Sequence, residues 1–143
     1  MPPQPPIPAN EDARLAALRR YRIVDTDPAP KFDRITNMAR RLFDVPIARI
    51  TFMESDRNFL KARGDFPLSS APRGVSFCSH AILSDEVLVV PDATDDPRFD
   101  TNPQVTGNAH IRFYAGAPVI TPDGHRVGTV CIFDTKRRDD FDQ

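Results

Sequence analysis

The residues able to do chemistry in this chain lie between Arg73 and Thr135. Cys78 and His80 stand two apart in RGVSFCSHAIL, and a second cysteine, Cys131, follows in RVGTVCIFDT. A cysteine near a helix start can act as a redox-sensitive thiol or a metal ligand, and the competing reading is a small buried apolar residue. His80 can hydrogen-bond a ligand or ligate haem, yet residues two apart on a helix face different directions. One metal gripped by both is therefore disfavoured, and a capping or packing histidine is expected. Cys131, among β-branched neighbours, reads as packing. A Cys78 to Cys131 disulfide requires a Cα separation of about 4.4–6.8 Å, which spacing alone does not supply. His110 and His125 sit in loops and are expected at the surface, and no set of residues has metal-ligand spacing.

Two further groups carry charge. Asp92, Asp95, Asp96 and Arg98 cluster in VVPDATDDPRF, where Asp92 and Asp95 could cap a helical turn and Arg98 pair with one of them. Arg112 and Tyr114 alternate along a predicted strand, so they would share a face and could clamp an anionic or aromatic ligand. Gly116 and Pro118 continue that face and would keep it shallow.

These groups need a scaffold, and the bulk properties bound it. The chain has 143 residues, 40% hydrophobic and 27% charged, with 10 Phe and no Trp. That is the size of one ordinary domain, with the composition of a globular protein. A formal charge of -1 gives no electrostatic reason to expect nucleic acid, which calls for a basic excess. The longest purely apolar run, Val87 to Val90, is far short of the roughly 20 residues a membrane-spanning helix needs. Two cysteines without a secretory signal point to a reducing, cytoplasmic setting.

Met1 to Pro8 contains five prolines and predicts an extended tail over residues 1–9. A helix is predicted from Asn10, an apt N-cap, with Glu11 and Asp12 at its positive end and Leu15 and Leu18 inward. A second helix from Pro30 to Phe43 places Phe32, Ile35, Met38, Ala39 and Leu42 on a predicted core face. Ile47 to Met53 and Phe59 to Gly64 predict a hairpin, followed by a Pro/Ser loop, a helix over Val75 to Leu83 and a strand over Val87 to Val90. Pro91 to Ala109 is a long irregular segment with room for one helical turn. Ile111 to Ile120 and Arg126 to Asp134 form a last hairpin about Thr121-Pro122-Asp123-Gly124-His125. Thr129, Cys131 and Phe133 share one face of its second strand. The order predicts an α+β domain: an antiparallel sheet of five to six strands, helices on one face, and a short helix plus long loop over the other.

Over roughly residues 10–138, the wording FDVPIARITFMESDRNFLKARGDF, RGVSFCSHAIL, VLVVPDATDDPRF and IRFYAGAPVITPDGHRVGTVCIFDT resembles a GAF domain of the kind fused to bacterial sensor histidine kinases and diguanylate cyclases. The resemblance implies the fold; function varies within the family, from cyclic-nucleotide, bilin and haem binding to redox sensing, dimerisation and one enzyme group. Bilin-binding members attach their chromophore through a Cys followed directly by His, and here Ser79 intervenes. The free methionine-R-sulfoxide reductases carry a Gly-Val-Cys-Gly-like loop and an Ala-Cys after a His-Ile. This chain has Gly74-Val75-Ser76-Phe77-Cys78 and His110-Ile111-Arg112-Phe113-Tyr114 in those places, so that catalytic set is not matched. The cyclic-nucleotide signature Asn-Lys…Phe-Asp-Glu has only a faint echo in Asp134-Thr135-Lys136…Phe141-Asp142-Gln143. Domains of this kind continue into a helix leading to an output domain, and residues 139–143 would begin it or form a linker. A sensory fragment of a longer protein is the expectation.

What the resemblance implies is a non-catalytic sensory module that binds a small molecule or reports redox state. Phe77, Cys78, His80, Asp92, Arg112, Tyr114 and Cys131 would form the ligand site, with the ligand or cofactor unassigned. The first helix would supply a homodimer contact, and the partner would be an output domain such as a histidine kinase or diguanylate cyclase. The competing readings are a thiol enzyme of the sulfoxide-reductase type, with Cys78 as nucleophile and Cys131 as resolving thiol, and a dimerisation module without ligand.

Overall fold

The computed structural model describes residues 5–64 and 66–141. Part of the predicted Pro-rich tail, and the end of the 139–143 stretch, lie outside the described residues. Six strands form one antiparallel sheet: β1 (Ile47–Met53), β2 (Arg57–Ala62), β3 (Ser70–Pro72), β4 (Leu88–Val90), β5 (Phe113–Ile120) and β6 (Arg126–Asp134), in the spatial order β3-β2-β1-β6-β5-β4. Helices α1 (Glu11–Arg20) and α2 (Pro30–Phe43) cover one face, and the short helices α3 (Cys78–Ala81) and α4 (Pro103–Thr106) belong to the segments over the other.

Alternation along the central strands sorts the two faces. On β1, Ile50 and Phe52 join the helix-side core while Arg49 and Thr51 turn to the opposite side. On β6, Val130 and Ile132 face the helices while Cys131 and Phe133 face away from them, as the pattern of that strand predicts. The β5–β6 hairpin closes as expected: Gly124 takes a φ of +91°, and the Thr121 hydroxyl accepts from the His125 amide at 3.0 Å. His125 itself is half-buried instead of exposed.

Both long helices differ from expectation in detail. Asn10 precedes α1 without making a side-chain cap; the acidic first turn and the basic Arg19 and Arg20 at the other end suit the helix dipole. The Leu15, Ala17 and Leu18 face packs into the domain's own core, leaving Asp12, Ala13, Ala16, Arg19 and Arg20 at the surface. Arg14 is 1% exposed and carries its guanidinium to Glu11 and to the Met53 carbonyl. In α2 the buried side is Phe32, Thr36, Ala39 and Phe43. Ile35, Met38 and Leu42, predicted to be core, are 49%, 68% and 73% exposed. Two apolar stripes run side by side on this helix, and only one of them packs against the sheet.

The remaining differences are local. Ser70–Pro72, expected as loop, pairs with β2 as an edge strand. The helix predicted over Val75 to Leu83 is a 3-10 turn, Arg73–Val75, followed by the one turn of α3. The long segment holds two turns, Ala93–Asp95 and α4. No helix begins in residues 135–141; Phe141 instead packs on Phe43 and Phe113 with ring centroids 5.2 and 5.3 Å away. Among the described residues no helix is long and apolar enough to cross a membrane.

Candidate functional site

The face of the sheet away from α1 and α2 is covered unevenly. Over β5 and β6 the cover is dense: Phe77 stacks on Phe99 at 4.3 Å and meets Tyr114 and Phe133 at 5.2 and 5.9 Å, each buried ring worth about 1.5–3 kcal/mol. Over β1 and β2 the cover lifts, leaving a cavity of about 400 Å³. Its walls are mainly apolar, from Ile47, Leu60, Phe66, Leu68, Ile111 and Phe133, and its polar contributors include Arg49, Thr51, Asn58 and Cys78. This is the size and lining of a small-molecule site.

At the cavity's floor lies a buried thiol cluster. The Cys78 and Cys131 sulfurs are 3.7 Å apart, and both residues line the cavity. Thr129 donates its hydroxyl to the Cys78 sulfur at 3.1 Å, Tyr114 donates at 3.3 Å, and Thr51 and Thr129 are hydrogen-bonded at 2.8 Å. Hydrogen bonding from the Cys131 thiol, opposed by burial and reinforced by Thr129 and Tyr114, lowers the Cys78 pKa to about 6. Burial, with Cys78 beside it, pushes the Cys131 thiol and the Tyr114 phenol upward. The pair thus has one sulfur suited to be thiolate and one that keeps its proton.

Ser76 ties this floor to β2. Its hydroxyl oxygen accepts from the Cys78 amide and from the Asn58 side-chain nitrogen, each at 3.1 Å. Asn58 is 3% exposed, and its Oδ1 has no partner among the described residues. Arg49 is held between two aromatic rings, its guanidinium carbon 4.6 Å from the Phe66 centroid and 5.0 Å from that of Phe133.

Of the residues singled out by sequence, Phe77, Cys78 and Cys131 line the cavity. Tyr114 is fully buried behind them and reaches the cluster through its hydroxyl. His80 is turned away from Cys78 and packs edge-on against Phe99 at 4.9 Å, with its pKa lowered by burial. Asp92 lies in a separate surface crevice with Arg137, and its carboxylate caps the Ala93–Asp95 turn through the Thr94 amide. Arg98 pairs with Asp96 at 2.7 Å, not with Asp92 or Asp95. Arg112 precedes β5, and its guanidinium donates to the carbonyls of Val105 and Ile111 at 2.9 and 3.0 Å. Arg112 and Tyr114 therefore do not make the clamp that simple alternation predicts.

Arg49, Thr51 and Asn58 were not singled out by sequence. The alternation of β1 placed Arg49 between Ala48 and Ile50, and a lone arginine inside an apolar strand was the available signal. Among the described residues no group of three or more His, Cys, Asp or Glu side chains is placed to hold a metal ion.

Comparison with known proteins matches this architecture. The chain is 38% identical over 134 residues to a cyclic di-GMP phosphodiesterase of Pseudomonas aeruginosa, covering 94% of this chain and 23% of that protein. A GAF sensor protein from Burkholderia vietnamiensis has a similar structure, with a TM-score of 0.62 at 16% identity over 92% of this chain and 83% of that one. A type II free methionine-R-sulfoxide reductase from Thermoplasma acidophilum gives 0.61 at 14% identity, over 84% and 79%. At such identities the two structures share the fold. The GAF domain profile matches residues 27–143, from before α2 through β6, and the chain belongs to the GAF domain family.

Proposed function

We propose that this domain is a non-catalytic sensory module that takes a small molecule into the cavity over β1, β2 and β6 and passes occupancy to an attached or partner output domain. The observation that carries this reading is the cavity itself: about 400 Å³, apolar-walled, with unpartnered polar atoms on Arg49 and Asn58. The chain corresponds to about a quarter of the length of the phosphodiesterase it resembles, which suits a sensory part beside an output domain such as a cyclic di-GMP enzyme, a diguanylate cyclase or a histidine kinase. Signalling as a homodimer would use the Ile35, Met38 and Leu42 stripe of α2, an apolar surface that the domain leaves uncovered. Thermal-shift screening against small metabolites tests the reading, because a bound ligand stabilises by RT ln(1 + [L]/Kd). A screen in which no compound raises the melting temperature rejects it.

A second reading rests on the 3.7 Å thiol pair. Hydrogen peroxide entering the cavity would be attacked by the Cys78 thiolate at one oxygen, breaking the O–O bond to give sulfenic acid and release hydroxide. Attack by the Cys131 thiol would then form the disulfide and release water. The two thiols lose two electrons to the peroxide, and the pair would report oxidants. Turnover of free methionine sulfoxide, abolished by Cys78→Ser, would instead favour the thiol enzyme.

A further inference from the structure

We propose that the molecule taken up by this cavity is a small organic anion, with its acid group on Arg49, a compact apolar body along Leu60 and Phe133, and a hydrogen-bonding substituent facing Asn58. The inference rests on the cavity being the ligand site and adds the ligand's chemical class.

Arg49 differs from the other inward-pointing arginines. Arg14 and Arg73 share Glu11, Arg126 holds the Ile82 carbonyl and Asp85, and Arg138 holds Asp134. Arg49 makes no ion pair and no hydrogen bond among the described residues, and its Nε is buried. The residue itself is half-buried, so only this N–H is out of water without an acceptor, which is costly unless something else supplies one. The two flanking rings hold the plane of the group and leave its N–H edge free, which is the presentation a carboxylate accepts in a bidentate pair.

The surroundings favour negative charge. Among the described residues no Asp or Glu lines the cavity. A neighbouring crevice shares Ile47, Arg49 and Phe66 with it and adds Arg40 and Arg63, with no carboxylate among its described lining residues. Three guanidinium groups close together draw anions toward the opening. Deeper in, Asn58 is fixed by its bond to Ser76, so one end of its amide is satisfied and the other is left for a ligand. Leu60 and Phe133 line the same cavity as these two polar stations, so an occupant that reaches both carries an apolar body.

The test uses 5-hydroxypentanoate and its uncharged amide as probes in thermal-shift and calorimetric titration, with the wild-type chain and Arg49→Met. The acid is expected to raise the melting temperature by about 3 °C at a concentration near 10 Kd. The amide should bind about 10- to 100-fold more weakly, and Arg49→Met should lose the acid by a similar factor. Equal binding of acid and amide, or acid binding unchanged in Arg49→Met, overturns the anion assignment while leaving the cavity a ligand site. Binding of neither probe overturns the ligand class. The ligand-free variant gives an independent reading: removing a guanidinium that serves a ligand leaves the domain as stable as wild type or more so. A fall of several degrees in its melting temperature would make Arg49 a structural residue and overturn the proposal.

Discussion

Tyr114 reaches the Cys78 sulfur only because Gly116, two residues along the same strand, has no side chain. A Cβ at Gly116 would stand 2.0 Å from the Tyr114 hydroxyl oxygen, which donates to Cys78 at 3.3 Å. The glycine is thus a space-maker for the thiol cluster. Gly116→Ala is expected to force the ring off its place at a cost of about 1–3 kcal/mol, read as a lower denaturant midpoint. Tyr114→Phe keeps the packing and removes the donor, costing about 1 kcal/mol. If Gly116→Ala is neutral, the close approach does not govern the cluster.

The thiols should titrate apart. Iodoacetamide labelling against pH is expected to show Cys78 ionising near 6, below the ordinary thiol value of 9.0, with Cys131 unreactive in that range. A lowered acid pKa in the folded state adds stability that is fully present above the unfolded value and is lost as pH falls. Wild type should therefore gain stability between about pH 6 and pH 9, and Cys78→Ser should flatten that rise. A Cys78 that labels only above pH 9 would contradict the hydrogen-bonded thiolate.

Peroxide treatment should convert the pair to a disulfide. Mass spectrometry is expected to show the loss of two hydrogens in wild type and a trapped sulfenic acid on Cys78 in Cys131→Ser. Both side chains are at most 2% exposed, so the oxidant must enter through the cavity, and an occupying ligand should slow the reaction. Oxidation at an undiminished rate in the ligand-bound protein would place the route elsewhere.

Glu11 sets an acid limit on stability. Burial would raise its pKa, but hydrogen bonds and charge from Arg14 and Arg73 outweigh it and hold the carboxyl at about 2. Its contribution is complete above the ordinary value of 4.5 and is lost as pH falls toward 2. Glu11→Gln is expected to cost about 2 kcal/mol at neutral pH, discounted for partial exposure, and much less at pH 2. Equal costs at both pH values would show that charge is not what Glu11 contributes.

The exposed stripe of α2 gives the dimer a test. Met38→Glu with Leu42→Glu should convert a dimer to a monomer in sedimentation while leaving the melting temperature of the monomer nearly unchanged, because neither side chain is buried in the domain. An unaltered dimer would move the interface elsewhere.

The regular elements were legible where one pattern dominated. The bounds of α2, β1 and β6 follow from Pro30, from the β-branched run of Ile47–Met53 and from the alternation of Arg126–Asp134. The edge strand Ser70–Pro72 was not, since its pairing with Arg57–Phe59 is nonlocal and its residues have weak strand preference. Apolar spacing on α2 could not say which of two stripes meets the sheet, a matter of how the helix lies across β1. For the site, Cys78 and Cys131 were visible as residue types, but their 3.7 Å approach needed the β1–β6 pairing and the placement of α3. Arg49 looked like an ordinary strand residue because an unpartnered charge is defined by what surrounds it in space.

The Arg73 guanidinium, which opens the segment leading to Cys78, donates to Glu11 on α1 and to the Glu54 carbonyl at 2.8 Å, while Arg14 shares the same carboxylate. The segment that carries Cys78 into the cavity and the first helix are therefore two ends of a single tether through one acidic side chain. A ligand that displaces residues 73–78 must stretch that tether, and α1 is the element that would feel the pull.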